Sequence, residues 1–583
     1  MSLPNTRRLN VTFVILMAAL CSPLLAFSQT ENAPLAQAFE RLDAFVAQSM
    51  REHGTPGVAI AITDREHLVK VLTYGYADVK LRTPVTPATL FEIGSISKSF
   101  TAICLLQLRE SGKIDFQQPV GKYLPWFSVH TKFEPITAHH LLTHTSGLPR
   151  DRDDIVSSPY QAAAVAERWT GYPPGKKYAY SNIGFQILGY LLGELDGRPS
   201  YESVRARIFE PLGIVDSVTA FRNETRRRMA IGYVPFYDDR PHHLSHGLVE
   251  GTWGEYGAGD GAIAATPADL ATYLRMLLDR GVGPKGRILS LESFALLTRK
   301  AIATDTEGEF FYGYGMRTWQ DGGHTMIAHS GGMVGYSSRL EGDLDEGIGA
   351  IVFVNGPGSP DDIARYAINV LRAARHQQEL PPLPPANDPL QVKNAADYAG
   401  TFAAPDGKKL TFVARGESLI LQAAGGDVVL ERRGANSFYA NSAEFSLFLL
   451  RFGRQGQEKE AANGGQASPS APVVEVSYGW EWYAGQRYAG PREFETPKQW
   501  LAYPGHYRSY SPWISNYRIG LRKGRLYIFY PEGGESVLVP IEGGEFQIGE
   551  GPTAERVRFE SEIDGKTLRL NISGVDLFRT FTP

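Results

Sequence analysis

Cysteine is almost absent from this chain: two in 583 residues, and of these Cys21 falls in an apolar N-terminal run, leaving Cys104 with no partner for an internal disulfide. Cys104 lies beside Ile103 and four residues after Phe100, where a thiol serves as a small buried apolar group. Charge of one sign is lacking too. The formal net charge is −4 with no Lys/Arg block, so nothing resembles the electrostatic footprint of a nucleic-acid binder, and small molecules or peptides are the partners to expect. Beyond the N-terminal run no apolar stretch is long enough to cross a bilayer. No phosphate loop, dinucleotide fingerprint or G-x-S-x-G elbow occurs, so no cofactor is implied. His140 and His144 stand at a spacing that zinc sites use, but no Glu follows His140 and no third ligand suggests itself, so a structural role is expected.

What is present is material for several domains: 43% hydrophobic and 11% aromatic residues over a long chain. Arg7 and Arg8, an apolar run from Val11 to Ala26, and small residues at Ala26 and Ser28 read as a signal peptide over 1–28, hence a periplasmic or secreted protein with no membrane span once mature. Helical periodicity covers Pro34 to His53. Strand-like runs follow at Val58–Thr63 and Leu68–Tyr74, and return at Thr325–Ala328, Gly335–Leu340 and Gly347–Val354 before a helical run from Asp361 to Arg375. That order predicts an α+β domain over 29–378: an antiparallel sheet built from both ends, terminal helices on one face, a helical insert on the other. Five prolines between Leu380 and Pro389 make a stiff linker, 379–390. Short alternating strands with Gly-rich turns then fill 391–492 and 493–583. These two stretches share a repeat: Tyr398–Phe402 answers Tyr503–Tyr507, and Gly416–Leu419 answers Gly524–Leu526. The polar stretch Gln455–Ala471 reads as a long loop.

Ser95-Ile96-Ser97-Lys98 sets a hydroxyl and an amine three residues apart at the head of an apolar-periodic stretch. A serine hydroxyl is a poor nucleophile at neutral pH and needs a base within reach, which an i, i+3 helical pair provides. A helix starting at Ser95 would also aim its free N–H at a developing oxyanion. Tyr180-Ser181-Asn182 and His329-Ser330-Gly331-Gly332 are two further polar clusters in the same order and relative spacing as those of the serine penicillin-recognising enzymes. With Ile136–Pro149 (ITAHHLLTHTSGLP), Gly257–Leu270 and Tyr312–Gly315, the chain resembles the class C β-lactamase-like serine hydrolases, a family that includes penicillin-binding proteins, D-aminopeptidases and carboxylesterases, over about residues 35–375.

The resemblance implies a β-lactamase/transpeptidase-like fold followed by two small antiparallel, barrel-like β domains, the three-domain layout of bacterial D-aminopeptidases, in which a tail module helps shape the active-site mouth. It makes Ser95 the acylating nucleophile, Lys98 its proton partner, Tyr180 a second acid or base, and Asn182 a ligand of Lys98 and of a substrate carbonyl. Which of Lys98 and Tyr180 is the base stays open. His329, Ser330, Gly331 and Gly332 would line the substrate, the Gly332 N–H serving as the second oxyanion donor. Many relatives carry Lys-Thr-Gly where this chain has His329-Ser330-Gly331. The exchange removes a cation from the place where a β-lactam or D-Ala-D-Ala peptide presents its carboxylate. The expected activity is therefore acyl-enzyme hydrolysis of peptides or amides, with D-amino-acid substrates foremost; carboxylesterase action on the same residues and acylation without turnover are the alternatives.

Overall fold

The strands Gly57–Asp64 and Ile348–Val354 are apolar along nearly their whole length and buried on both faces, as strands are when both sides of a sheet are covered. They pair antiparallel from Val58↔Val354 to Asp64↔Ile348 and lie side by side in the interior of a nine-stranded sheet. The computed structural model describes residues 33–150, 158–305, 307–456, 471–513 and 515–581; the expected signal peptide lies outside them, as does most of Gln455–Ala471. Alternate residues of Gly57–Asp64 face opposite ways. Val58, Ile60 and Ile62 meet helices Ala33–His53 and Pro360–Arg375, while Ala59 and Ala61 join the core under the helical insert. That insert contributes the helices Ser97–Glu110, Asn182–Asp196 and Pro267–Leu278. Among the described residues no helix is long and apolar enough to cross a membrane.

Beyond the proline-rich linker the chain closes two antiparallel barrels of eight strands each. In the first, Gly400–Ala403 pairs with Glu481–Gly485 to close the ring; in the second, Gly505–Arg508 pairs with Val575–Arg579. The sequence repeat marks equivalent places: Tyr398 and Tyr503 each sit at a short 3₁₀ turn just before the first strand. Closure removes the sheet edges that would otherwise template aggregation. The second barrel is tied to the hydrolase-like domain by Arg518, which donates to the Asp239 carbonyl at 2.8 Å, and by the Arg150 N–H, which donates to Glu555 Oε1 at 2.7 Å. Lys177 adds a bond to the Pro552 carbonyl at 2.6 Å.

Candidate active site

Ser95 does not begin the long helix. It lies in a 3₁₀ turn, Gly94–Ile96, and the α-helix starts at Ser97. The turn leaves Ser95 at the mouth while Lys98, one turn on, is wholly buried. Lys98 Nζ donates to Ser95 Oγ at 2.8 Å, to Asn182 Oδ1 at 2.7 Å and to the Asp260 carbonyl at 2.9 Å. Three acceptors thus meet the three N–H bonds of an ammonium group. The Tyr180 ring centroid lies 5.0 Å from the same nitrogen, so the residues of two distant clusters converge on one point.

Asn182 is held there by its helix. Ser181 caps Asn182–Asp196, its Oγ accepting the Gly184 N–H at 3.2 Å, which fixes the start of the helix and the direction of the Asn182 side chain. The Ser181 N–H in turn donates to His144 Nδ1 at 3.0 Å. That bond places the proton of the neutral imidazole on Nε2. Burial, with Lys98 next, holds the His144 pKa well below its ordinary range, and the ring lies against Tyr180 with centroids 4.3 Å apart. His144 has φ of +56°, a left-handed conformation that non-glycine residues adopt only where surroundings impose it.

The strand His324–Met333 runs straight through the third cluster, and alternation divides its residues. A Cβ on Gly331 would stand 1.9 Å from the Ile93 carbonyl oxygen, and one on Gly94, at φ +49°, 2.5 Å from the Gly332 carbonyl oxygen. Only glycine lets the two backbones approach so closely, and this contact sets the Gly332 main chain beside the Ser95 turn. Ser330 points the other way, toward helix Pro360–Arg375: its Oγ donates to Asp361 Oδ1 at 2.8 Å and accepts from Arg339 at 2.9 Å. The expectation that Ser330 lines the substrate is corrected by the two-residue period of the strand. His329 is on the inner face but 5% exposed; its Nδ1–H donates to the Ser330 carbonyl at 2.6 Å, and Nε2 accepts from the Tyr312 hydroxyl at 2.9 Å. Burial, then Lys98, push its pKa down to about 3. It is a neutral buried group behind the site rather than one exposed to a ligand.

A cavity of about 330 Å³ opens on Ser95, Asn182 and Gly332. Residues 42–375 match the beta-lactamase family profile. The chain belongs to the beta-lactamase family. It is a class C β-lactamase-like serine hydrolase, of a fold that performs serine acyl transfer. Among relatives, it is 28% identical to penicillin-binding protein 4 of Amycolatopsis lactamdurans over 62% of this chain and 96% of that one. It is 25% identical to penicillin-binding protein 4* of Bacillus subtilis over 60% and 80%. The octameric penicillin-binding protein homologue from Pyrococcus abyssi superposes with a TM-score of 0.54 at 25% identity, covering 76% of this chain and 99% of that chain.

Five further residues of this beta-lactamase-family site carry no catalytic or binding role in the sequence reading, although the resemblance implied that the tail shapes the mouth. Asp260 acts through a main-chain carbonyl, which no side-chain pattern reveals; its carboxylate is engaged by Tyr256 at 2.7 Å. His144 appears in the sequence as one of a histidine pair and within the Ile136–Pro149 segment, with no role at the site assigned to it. Tyr510, Pro512 and Trp513 belong to the second barrel yet line the cavity beside Ser95, so the tail supplies part of the mouth. A larger groove of about 810 Å³ shares Gln186, Glu255 and Tyr256 with the cavity and leads away along helix Asn182–Asp196.

Proposed function

We propose that this protein hydrolyses amide or peptide bonds through an acyl-enzyme on Ser95, with amino-acid-derived substrates, D-configured ones included, as its class. The observation that carries the reading is Lys98 Nζ, held between Ser95 Oγ and Asn182 Oδ1. Ser95 Oγ attacks the carbonyl and its proton passes to the Lys98/Tyr180 pair; the same pair returns a proton to the departing amine, and water then cleaves the ester. The Ser95 and Gly332 N–H groups are the donors assigned to the oxyanion. The names of the relatives bring penicillin to this chain as a test ligand. Neutral, buried His329 offers a β-lactam carboxylate no cation, so slow acylation is the expectation. The apolar side chains of Phe221, Met333 and Val334 in the cavity support a second reading, an esterase on the same residues.

The test is a panel on purified full-length protein: D-Ala p-nitroanilide, a D-Ala-D-Ala peptide, nitrocefin and p-nitrophenyl butyrate, with intact mass to catch covalent adducts. Amide turnover that falls about a thousandfold or more in Ser95→Ala supports the reading; turnover unchanged in that variant refutes it. One burst of product followed by silence would instead favour a protein that acylates without turning over. The basic and apolar residues of the N-terminal stretch support export, which N-terminal sequencing of the mature protein tests.

A further inference from the structure

Glu92 lies three residues before Ser95, on the short strand Phe91–Glu92 that pairs with Ala264–Ala265. Phe91 points into the core, stacked on Phe353 at 5.4 Å. Alternation therefore turns Glu92 to the opposite side, where it lines the cavity that opens on Ser95. Its side chain is buried, the residue 6% exposed, and among the described residues no hydrogen bond or ion pair engages its carboxyl. The neighbouring Tyr336 hydroxyl is spent on the Ala230 carbonyl. Burial alone pushes this carboxyl up to about 8, so by itself it is held largely protonated at neutral pH, and a cation set beside it is what restores the carboxylate.

Two more groups in the same cavity are left wanting. Trp253 Nε1–H and Gln186 Oε1 are buried with no hydrogen-bond partner among the described residues. The Gln186 amide orientation follows from its nitrogen, which donates to Asp260 Oδ2 at 3.4 Å. Among the described residues no Lys, Arg or His lines the cavity, whereas Glu92, Glu255 and Asp260 do. Asp260 and Glu255 have partners already: Tyr256 donates to the first, the Asn223 N–H to the second. Phe221, Met333 and Val334 supply apolar wall. The lining thus offers a carboxylate no cation, whereas a cation on an apolar stem brings N–H donors to Glu92 and to Gln186 Oε1 and leaves Trp253 Nε1–H for an acceptor of the same ligand.

We propose that Glu92 is the receptor for a protonated amine, so that the substrates acylating Ser95 carry a primary ammonium group within the part that enters this cavity. The proposal rests on the serine-hydrolase reading and adds the feature by which substrates are chosen. Binding of n-butylammonium and of 1-butanol to the full-length protein, measured by calorimetry, tests it without requiring turnover. The ammonium is expected to bind at least tenfold more tightly, and Glu92→Gln to bring the two within twofold of each other. Equal or undetectable binding of the pair in the wild type, or a preference that survives in Glu92→Gln, overturns the assignment. Should the variant not fold, the wild type decides through matched acyl donors: 6-aminohexanoyl p-nitroanilide must acylate Ser95 at least tenfold faster than hexanoyl p-nitroanilide, and equal rates overturn it. Acylation without ammonium preference sinks this site alone; ammonium preference with no adduct ever found on Ser95 sinks the hydrolase reading alone.

Discussion

Acidification strikes this domain at a buried imidazole. His329 is neutral, with Nδ1–H given to a carbonyl and Nε2 receiving the Tyr312 hydroxyl, and Lys98 nearby opposes a second positive charge. Its folded pKa of about 3 lies below the ordinary 6.5, so between those values the unfolded chain takes up a proton that the folded chain refuses. Stability is then full above the ordinary value and is lost as pH falls toward the folded one, by about 1.4 kcal/mol per pH unit for one such group. At about pH 5 the loss from His329 alone comes to about 2 kcal/mol. His144, shifted in the same direction by burial, adds to it. The experiment compares wild type with His329→Asn, whose amide can still donate to the Ser330 carbonyl, by calorimetry of the hydrolase-domain transition near pH 7 and near pH 5. The variant should lose about 2 kcal/mol less on acidification than the wild type. Equal losses in the two proteins, or an imidazole resonance of His329 that titrates near its ordinary value, would refute the reasoning.

Other consequences are as direct. Lys98→Met leaves Asn182 Oδ1 and the Asp260 carbonyl without their donor, and acylation of Ser95, followed by stopped-flow, should slow about a thousandfold. Gly331→Ala places a methyl on the Ile93 carbonyl oxygen and must displace the Ser95 turn, so kcat should fall by about a hundredfold or more while circular dichroism keeps its native form; unaltered kcat would contradict the packing. Ser330→Ala, on the far face of the strand, should cost about 1 kcal/mol of stability in urea melts and leave acylation within about threefold. Tyr180→Phe should spare p-nitrophenyl ester turnover more than anilide turnover, because an amine leaving group needs the proton that an ester can do without.

The sheet was legible because its central strands are bounded apolar runs, Val58–Thr63 and Gly347–Val354, whose period leaves little choice of face. The barrels were legible through the tyrosine repeat at Tyr398 and Tyr503, since a duplicated turn and hairpin imply a duplicated module; that each ring closes, at Phe402↔Gly485 and Tyr507↔Arg579, depends on pairings between residues far apart that no local pattern contains. At the site, the pairing of Ser95 with Lys98 could be read from spacing and the roles of Tyr180 and Asn182 only from the family resemblance; the structure gathers all four around Lys98. Direction could not be read. Whether Ser330 faces the cavity or Asp361 is decided by the strand's register, and His329 is hidden by the burial that Tyr312 completes. Asp260 lies inside the Gly257–Leu270 segment but contributes a carbonyl, which its side-chain type does not reveal; Trp513 comes from the tail, whose share in the mouth the resemblance implied without naming a residue.

The account stands on Ser95 as the atom that is acylated. Peptide mapping by mass spectrometry after incubation with a fluorophosphonate, repeated in Ser95→Ala and Lys98→Met, reads this directly. The adduct should map to Ser95, be absent from Ser95→Ala and form far more slowly in Lys98→Met. An adduct on another residue, or equal labelling in Ser95→Ala, would contradict the account.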